Sequence, residues 1–303
     1  MNFYISLFLK GMAMGAANVI PGVSGGTIAF ITGIYERFIN ALKSFDLKAL
    51  RLLIRFDLQS LARQVDIYFL LAVGGGIVLS ILSLAKVLEF LFVNYEQLTL
   101  AFFFGLIVAS VVFVANGVDR WSAEVILLLL IGVAVAISIA FMVPASANDN
   151  FFYIFLCGIV AVCSMILPGL SGSYILLLMG NYVLVLKAIS SFNFGIIIPL
   201  ILGCAIGLVL FSRVLSYLFA HYKDHTIALL SGFVIGSLLI IWPWKETQYE
   251  ELSGKLKATG YSWYWPELGI ELFYAIILIV LGFLTVYLME KSARRAEASE
   301  KLD

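Results

Sequence analysis

Histidine and cysteine are scarce in this chain: its 303 residues include two histidines and three cysteines. Neither a zinc cluster nor a disulfide framework can be assembled from so few. Cys157, Cys163 and Cys204 all stand in apolar runs and read as small buried hydrophobes. No metal or cofactor is expected, and His221 and His225 read as loop residues without a role. Charge is scarce as well, at 13% of residues against about 25% in soluble proteins. Nineteen basic residues cancel nineteen acidic ones, so net charge gives no basis for binding nucleic acid. The two longest polar stretches, 44–66 and 245–267, are too short for a soluble domain. The start does not read as a signal peptide, because Lys10 lies inside the first apolar stretch rather than before it.

What the chain has is apolar length. Apolar residues reach 62%, against roughly 45–50% in globular proteins. Six stretches are long enough to cross a bilayer as helices: 67–92, 98–116, 123–143, 195–220, 226–244 and 268–290. Two further apolar regions, 3–44 and 151–192, are interrupted near the middle. The interruptions are Pro21-Gly22-Val23-Ser24-Gly25-Gly26 and Pro168-Gly169-Leu170-Ser171-Gly172-Ser173. Proline lacks a backbone N–H and clashes with the preceding turn, and glycine weakens a helix interior, so both helices are expected to break there. Each pair of halves can build two straight spans or one re-entrant hairpin. The predicted class is an all-α polytopic membrane protein.

Lysine and arginine in short loops set the orientation. If both broken regions return to their side of origin, Lys43, Lys48, Arg51, Arg55, Arg63, Arg120, Lys223, Lys291, Arg294 and Arg295 share one face with both termini. That face is expected to be cytoplasmic. The other carries the nearly uncharged 93–97 turn, Asn148-Asp149-Asn150 and the 245–267 loop. Trp242, Trp244, Tyr261, Trp263 and Trp265 bracket it like an interfacial aromatic belt. Segment 44–66 intersperses Phe45, Leu47, Leu50, Leu53, Ile54, Leu58 and Leu61 with basic residues, the pattern of an amphipathic helix on the inner leaflet.

The two broken motifs match 147 positions apart: Pro21, Gly22, Ser24 and Gly25 with Pro168, Gly169, Ser171 and Gly172. Gly11 matches Gly158, and Gly33 and Tyr35 match Gly180 and Tyr182. A second block matches 127 positions apart, pairing Lys86 with Arg213, Tyr95 with Tyr222, Thr99 with Thr226 and Gly105 with Gly232. The chain therefore divides into two units, 1–143 and 144–303. Each is a broken hairpin (3–44 or 151–192) followed by three spans, and 44–66 is an insertion in the first. Three spans is an odd number, so the second unit enters the membrane from the opposite face. Inverted repeats with discontinuous helices point to a secondary transporter with a site near the midplane.

A helix that begins within the membrane presents unpaired N–H groups and partial positive charge. Such backbone persists in hydrocarbon only where it is buried or lines a cavity. The glycines of each motif let a ligand approach, and Ser24, Thr27, Ser171 and Ser173 add hydroxyls. A phosphate or carboxylate suits that surface. The competing reading is that Pro-Gly-x-Ser-Gly only lets two hairpin tips pack closely. Lys86 and Arg213 lie at matching depths and either neutralise a bound anion or snorkel to an interface. Glu36 and Arg37 have no charged counterparts, since Val183 and Leu184 stand there. Glu36 is a candidate proton carrier or an ordinary residue at a cytoplasmic helix end. Glu89 is spaced to pair with Lys86.

Asn18-Val19-Ile20-Pro21-Gly22-Val23-Ser24-Gly25-Gly26-Thr27, followed by Gly33-Ile34-Tyr35-Glu36, resembles the signature of a bacterial membrane family long called domain of unknown function 368. Leu167-Pro168-Gly169-Leu170-Ser171-Gly172-Ser173 with Gly180-Asn181-Tyr182 resembles its second signature. The resemblance covers nearly the whole chain. It implies a polyprenyl-phosphate transporter that returns undecaprenyl phosphate across the bacterial cytoplasmic (inner) membrane for envelope synthesis. Such a lipid monophosphate head agrees with the site read from the motifs, where the expected phosphate contacts are Ser24, Gly25, Gly26, Thr27, Ser171, Gly172 and Ser173, with Lys86 or Arg213 as the cation. Pro21, Gly22, Pro168 and Gly169 break the helices. Asn181 in place of Ile34, and the missing partner of Glu36, make coupling to a proton or sodium ion less secure than phosphate binding. A small-anion transporter or channel remains as the alternative. A lipid phosphatase would need a nucleophile beside a base, and no histidine lies near either motif.

Overall fold

The computed structural model describes residues 3–19, 24–115, 117–142, 145–252 and 255–300. The first region forms α1 (Phe3–Val19), α2 (Gly25–Ile31) and α3 (Tyr35–Lys43), followed by α4 (Leu47–Ile54) and α5 (Leu58–Gln64). Then come α6 (Ile67–Ala115) and α7 (Ala123–Ala140). The second region forms α8 (Phe151–Ile166), α9 (Gly172–Leu178) and α10 (Tyr182–Ser190), followed by α11 (Phe194–His221) and α12 (Lys223–Ile241). A hairpin of β1 (Lys245–Leu252) and β2 (Lys255–Trp263) leads into α13 (Ile270–Glu300).

Among the described residues, five helices are long and apolar enough to cross a membrane: Asn94–Val112, Ala123–Ala140, Phe194–His221, Lys223–Ile241 and Ile270–Leu288. Two bent pairs add to them. Leu58–Gln64 meets Ile67–Ser83 at 70°, and Gly172–Leu178 meets Tyr182–Ile189 at 113°. The chain is a multi-pass α-helical membrane protein. Its outer surface is apolar, as lipid contact requires: Leu127 and Leu130 on α7 and Phe273, Ile276 and Leu284 on α13 are all exposed.

Glycines set how closely the helices approach, in a scheme typical of membrane bundles. A methyl at Gly11 of α1 would strike the Val73 carbonyl of α6, and one at Gly76 would strike the Phe8 carbonyl. The α8–α11 contact repeats this with Gly158 against Leu200 and Gly203 against Phe155. Gly105 of α6 meets the Ile279 carbonyl of α13, and Gly282 meets Phe102. In the α7–α12 contact, Gly232 meets Leu129 and Gly132 meets Leu229. The turns between spans also correspond. Tyr95, which divides α6 into two limbs, has φ −143° and ψ 42°, and Tyr222, between α11 and α12, has φ −136° and ψ 48°. Thr99 and Thr226 each donate a hydroxyl hydrogen bond of 2.8 Å to the carbonyl of the corresponding tyrosine.

Loops grouped together by charge do meet. The Asp224 carboxylate accepts from the Asp119 and Arg120 N–H groups at 3.1 Å, joining the 117–122 loop to the start of α12. At the other grouping, Trp263 packs on Phe141 with ring centroids 5.1 Å apart.

Three expectations need correction. The second half of each broken region is not one continuous helix. It splits into a seven-residue and a nine-residue helix. The split falls at Gly33 (φ 70°) and Gly180 (φ 75°), a backbone conformation open to glycine and costly for other residues. Segment 44–66 is likewise two short helices, α4 and α5, each capped by an aspartate, Asp46 and Asp57. Their apolar side chains, including Leu47, Leu50 and Ile54, are exposed. Finally, 245–267 carries the β1–β2 hairpin where only a polar loop was anticipated.

Candidate functional site

The first motif is described from Ser24 onward; Pro21 and Gly22 lie outside the described residues. Ser24 is the N-cap of α2, in extended conformation, and its Oγ accepts from the Gly26 N–H at 3.1 Å. That hydroxyl also donates to the Met165 carbonyl at 3.1 Å. Thr27 Oγ1 accepts from the Gly169 N–H at 2.8 Å, and the Tyr35 hydroxyl donates to the Ile166 carbonyl at 3.1 Å. A methyl at Gly26 would strike that same Ile166 carbonyl. The first motif thus lies across the end of α8 and satisfies carbonyls that lose their partners where the helix stops.

The second motif is held from the other side. Pro168 is buried, and Gly169 (φ 84°) packs against the Phe233 backbone of α12. Ser171 is the N-cap of α9 and makes no side-chain capping bond. Its hydroxyl instead lies 3.0 Å from that of Ser173.

Between the motifs is a cavity of about 240 Å³. Its polar lining residues are Asn18, Ser24, Ser171, Gly172 and Ser173, and its apolar ones include Met165, Leu170, Leu176, Leu200 and Cys204. The two signatures, far apart in sequence, therefore share one concave surface. Among the expected phosphate ligands, Ser24, Ser171, Gly172 and Ser173 line it. Gly25, Gly26 and Thr27 stand behind it: Gly25 donates its N–H to Asn18 Oδ1 at 2.8 Å, and the other two hold the second motif.

The expected cations are placed differently. Arg213 is exposed on α11 and does not line this cavity. It lies nine residues beyond Cys204, about 13 Å further along the helix axis. Asp46 is close enough to feel its charge. The Asp46 carboxyl is held below the usual carboxylate range, first by the Ala49 N–H and to a smaller degree by the Lys48 N–H and Arg213. The side chains of Lys86 and Glu89 lie outside the described residues. Glu36 is exposed in a second cavity of about 530 Å³, with Arg37, Asn40, Gln64 and Asp66. There the Arg37 guanidinium grips Asp66 through two bonds of 2.7 and 3.2 Å and lies over the Phe69 ring at 4.6 Å.

Three contacts were not anticipated. Asn18, which accepts the Gly25 N–H, lies within the first signature string, and that position is the signal that marks it. Lys10 Nζ donates to the Thr32 carbonyl at 2.8 Å, tying α1 to the end of α2. Lys43 Nζ donates to Ser216 Oγ at 2.9 Å, which donates to Asn40 Oδ1 at 2.8 Å, linking α3 to α11.

A polytopic helical bundle in which two interrupted helices meet at a part-polar cavity has the architecture of a membrane transporter. Residues 14–257 match the VCA0040-like family, described as undecaprenyl phosphate translocase-like, and the chain belongs to that family. A polyprenyl-phosphate transporter of Vibrio cholerae serotype O1 is 40% identical over 257 residues, covering 85% of this chain and 82% of the relative. One from Staphylococcus aureus is 31% identical over 264 residues, covering 78% of this chain and 85% of the relative. No solved structure matches the chain.

Proposed function

We propose that this chain carries polyprenyl monophosphate, undecaprenyl phosphate in a bacterial cell, from the outer to the inner leaflet of the cytoplasmic membrane. The observation that carries the reading is the single cavity shared by the two Pro-Gly-x-Ser-Gly motifs. The names of the two relatives support the substrate. An isolated phosphate head cannot cross hydrocarbon unaided, because desolvating its charge without compensation is prohibitive. The cavity offers neutral donors in place of water, and its apolar lining residues suit the first carbons of a tail that stays in the lipid.

In this reading the two units are inverted repeats, and the matching glycine contacts and tyrosine turns support it. The basic loops and both termini face the cytoplasm. The head enters laterally, is held at the motifs near the midplane, and leaves toward the inner leaflet. Arg213 and Lys43 lie near the α3–α11 junction, and we assign them to the leaving stage. Lys86 is its counterpart in the first unit. Glu36, exposed beside Arg37 and Asp66, is the proposed proton carrier if transport is coupled.

The test is movement of a short-chain polyprenyl phosphate between leaflets of proteoliposomes. Wild type should move it, and Gly25→Leu combined with Gly172→Leu should not, while remaining folded and inserted. Lipid that stays in its leaflet under imposed proton and sodium gradients, with well-folded wild type, would overturn the lipid substrate in favour of a small anion.

A further inference from the structure

The side-chain donors at the cavity can be counted one by one, beside the Gly172 and Ser173 N–H groups at the start of α9, which Ser171 does not cap. A phosphate with two charges offers only acceptors, so each contact must come from an N–H or O–H of the protein. Ser24 has one hydroxyl hydrogen, and it is committed to the Met165 carbonyl. Ser171 and Ser173 bond to each other, which uses one of their two hydrogens and leaves one. Asn18 is better supplied. Its Oδ1 accepts the Gly25 N–H at 2.8 Å, and a backbone N–H can only donate, so the amide orientation is fixed. Nδ2, with two N–H donors, makes no hydrogen bond among the described residues, and Asn18 is one of the residues that line the cavity.

Gly25 makes this placement possible. A methyl there would lie 2.8 Å from both Oδ1 and Nδ2 of Asn18, so the amide rests flat on the glycine. At the matching position of the second unit, Met165 rests on Gly172 in the same manner, its Cγ and sulfur against the space a methyl would need. The cavity therefore has an amide on one glycine and a thioether on the other. That difference is suited to a ligand with a charged end and an apolar end.

We propose that Asn18 is the principal specificity residue for the phosphate head, donating through Nδ2, with Met165 facing the first carbons of the tail. The inference rests on the transport reading above. It is tested with purified full-length protein in detergent, by titrating a short-chain polyprenyl phosphate and, separately, the corresponding polyprenol without phosphate. Asn18→Asp preserves the shape and the bond to Gly25 but replaces the donors with an acceptor that carries a negative charge, whereas Asn18→Ser removes the Nδ2 donors without adding charge. Phosphate-lipid affinity should fall about ten- to a hundredfold in Asn18→Ser, the ratio expected for loss of a hydrogen bond to a charged group, and further in Asn18→Asp, while polyprenol affinity is unchanged in both. Gly25→Ala, which pushes the amide off its seat, should weaken the phosphate lipid in the same sense and guards against a folding defect in the Asn18 variants. Unchanged phosphate affinity in Asn18→Ser and Gly25→Ala, with wild type still preferring phosphate over alcohol, would overturn the role of Asn18 alone. If wild type shows no preference between the two lipids, the transport reading itself falls, and this inference falls with it.

Discussion

Replacing Thr27 by valine tests whether the two motifs are held together by the contact seen between them. Thr27 is 1% exposed, and its Oγ1 is the acceptor for the Gly169 N–H. Valine keeps the branched shape and removes that acceptor. Gly169 lies in a left-handed turn against Phe233, so its N–H has no route to water without moving the motif. A buried donor left unpaired costs about 1–3 kcal/mol. By the scaling of mid-sized domains, this corresponds to a fall in Tm on the order of 2–10 °C. Thermal unfolding of the purified protein in a single detergent would read it, with Thr27→Ser as the control that restores the acceptor. The reasoning would be refuted if valine left Tm unchanged, or if serine lowered it as much as valine does.

Other consequences can be checked separately. Gly11→Ala should lower stability by about 1–3 kcal/mol through overpacking against the Val73 carbonyl. Gly74→Ala, which meets nothing within 4 Å, should leave Tm unchanged or raise it. Tyr35→Phe should cost about 0.5–1.5 kcal/mol by losing the bond to Ile166, read in the same melting assay. The Asp46 carboxyl lies below its ordinary range, so its cap on α4 is fully present above that range and is lost as pH falls through the lowered value. Amide exchange at Lys48 and Ala49 should accelerate at acid pH, and Asp46→Asn should remove that dependence. Asp66→Asn should cost less than about 1 kcal/mol, and less still in high salt, because the Arg37–Asp66 pair is more than a third exposed.

Helix positions were readable because apolar length and Pro-Gly interruptions act locally. The pairing of Pro21-Gly22 with Pro168-Gly169 located the two motifs that meet at the cavity. Finer features depended on neighbours distant in sequence. Gly33 and Gly180 read as matching positions of the two units, and only the packed structure reveals their left-handed turns. Sequence spacing gave Arg213 a depth but not an azimuth, and the exposed side of α11 faces away from the cavity. Ser24 was identifiable as a hydroxyl at a helix start, yet its commitment to Met165 depends on where α8 ends. The β1–β2 hairpin escaped notice because Lys245-Glu246-Thr247-Gln248-Tyr249-Glu250 has no apolar alternation.

The glycine seams carry a consequence for how the protein is made. Two of them, α1 with α6 and α8 with α11, join helices that lie close in the chain. The other two cross between the halves: Gly105 waits for Ile279, and Gly132 for Leu229. At about 5–20 residues per second, the ribosome needs on the order of 10–35 s to span the interval from Gly105 to Ile279. During that time the second limb of α6 sits in the bilayer with a bare glycine groove. Docking of α13 on Gly105 must therefore wait until nearly the whole chain is made, and a chain cut short before α13 would leave that seam unfilled.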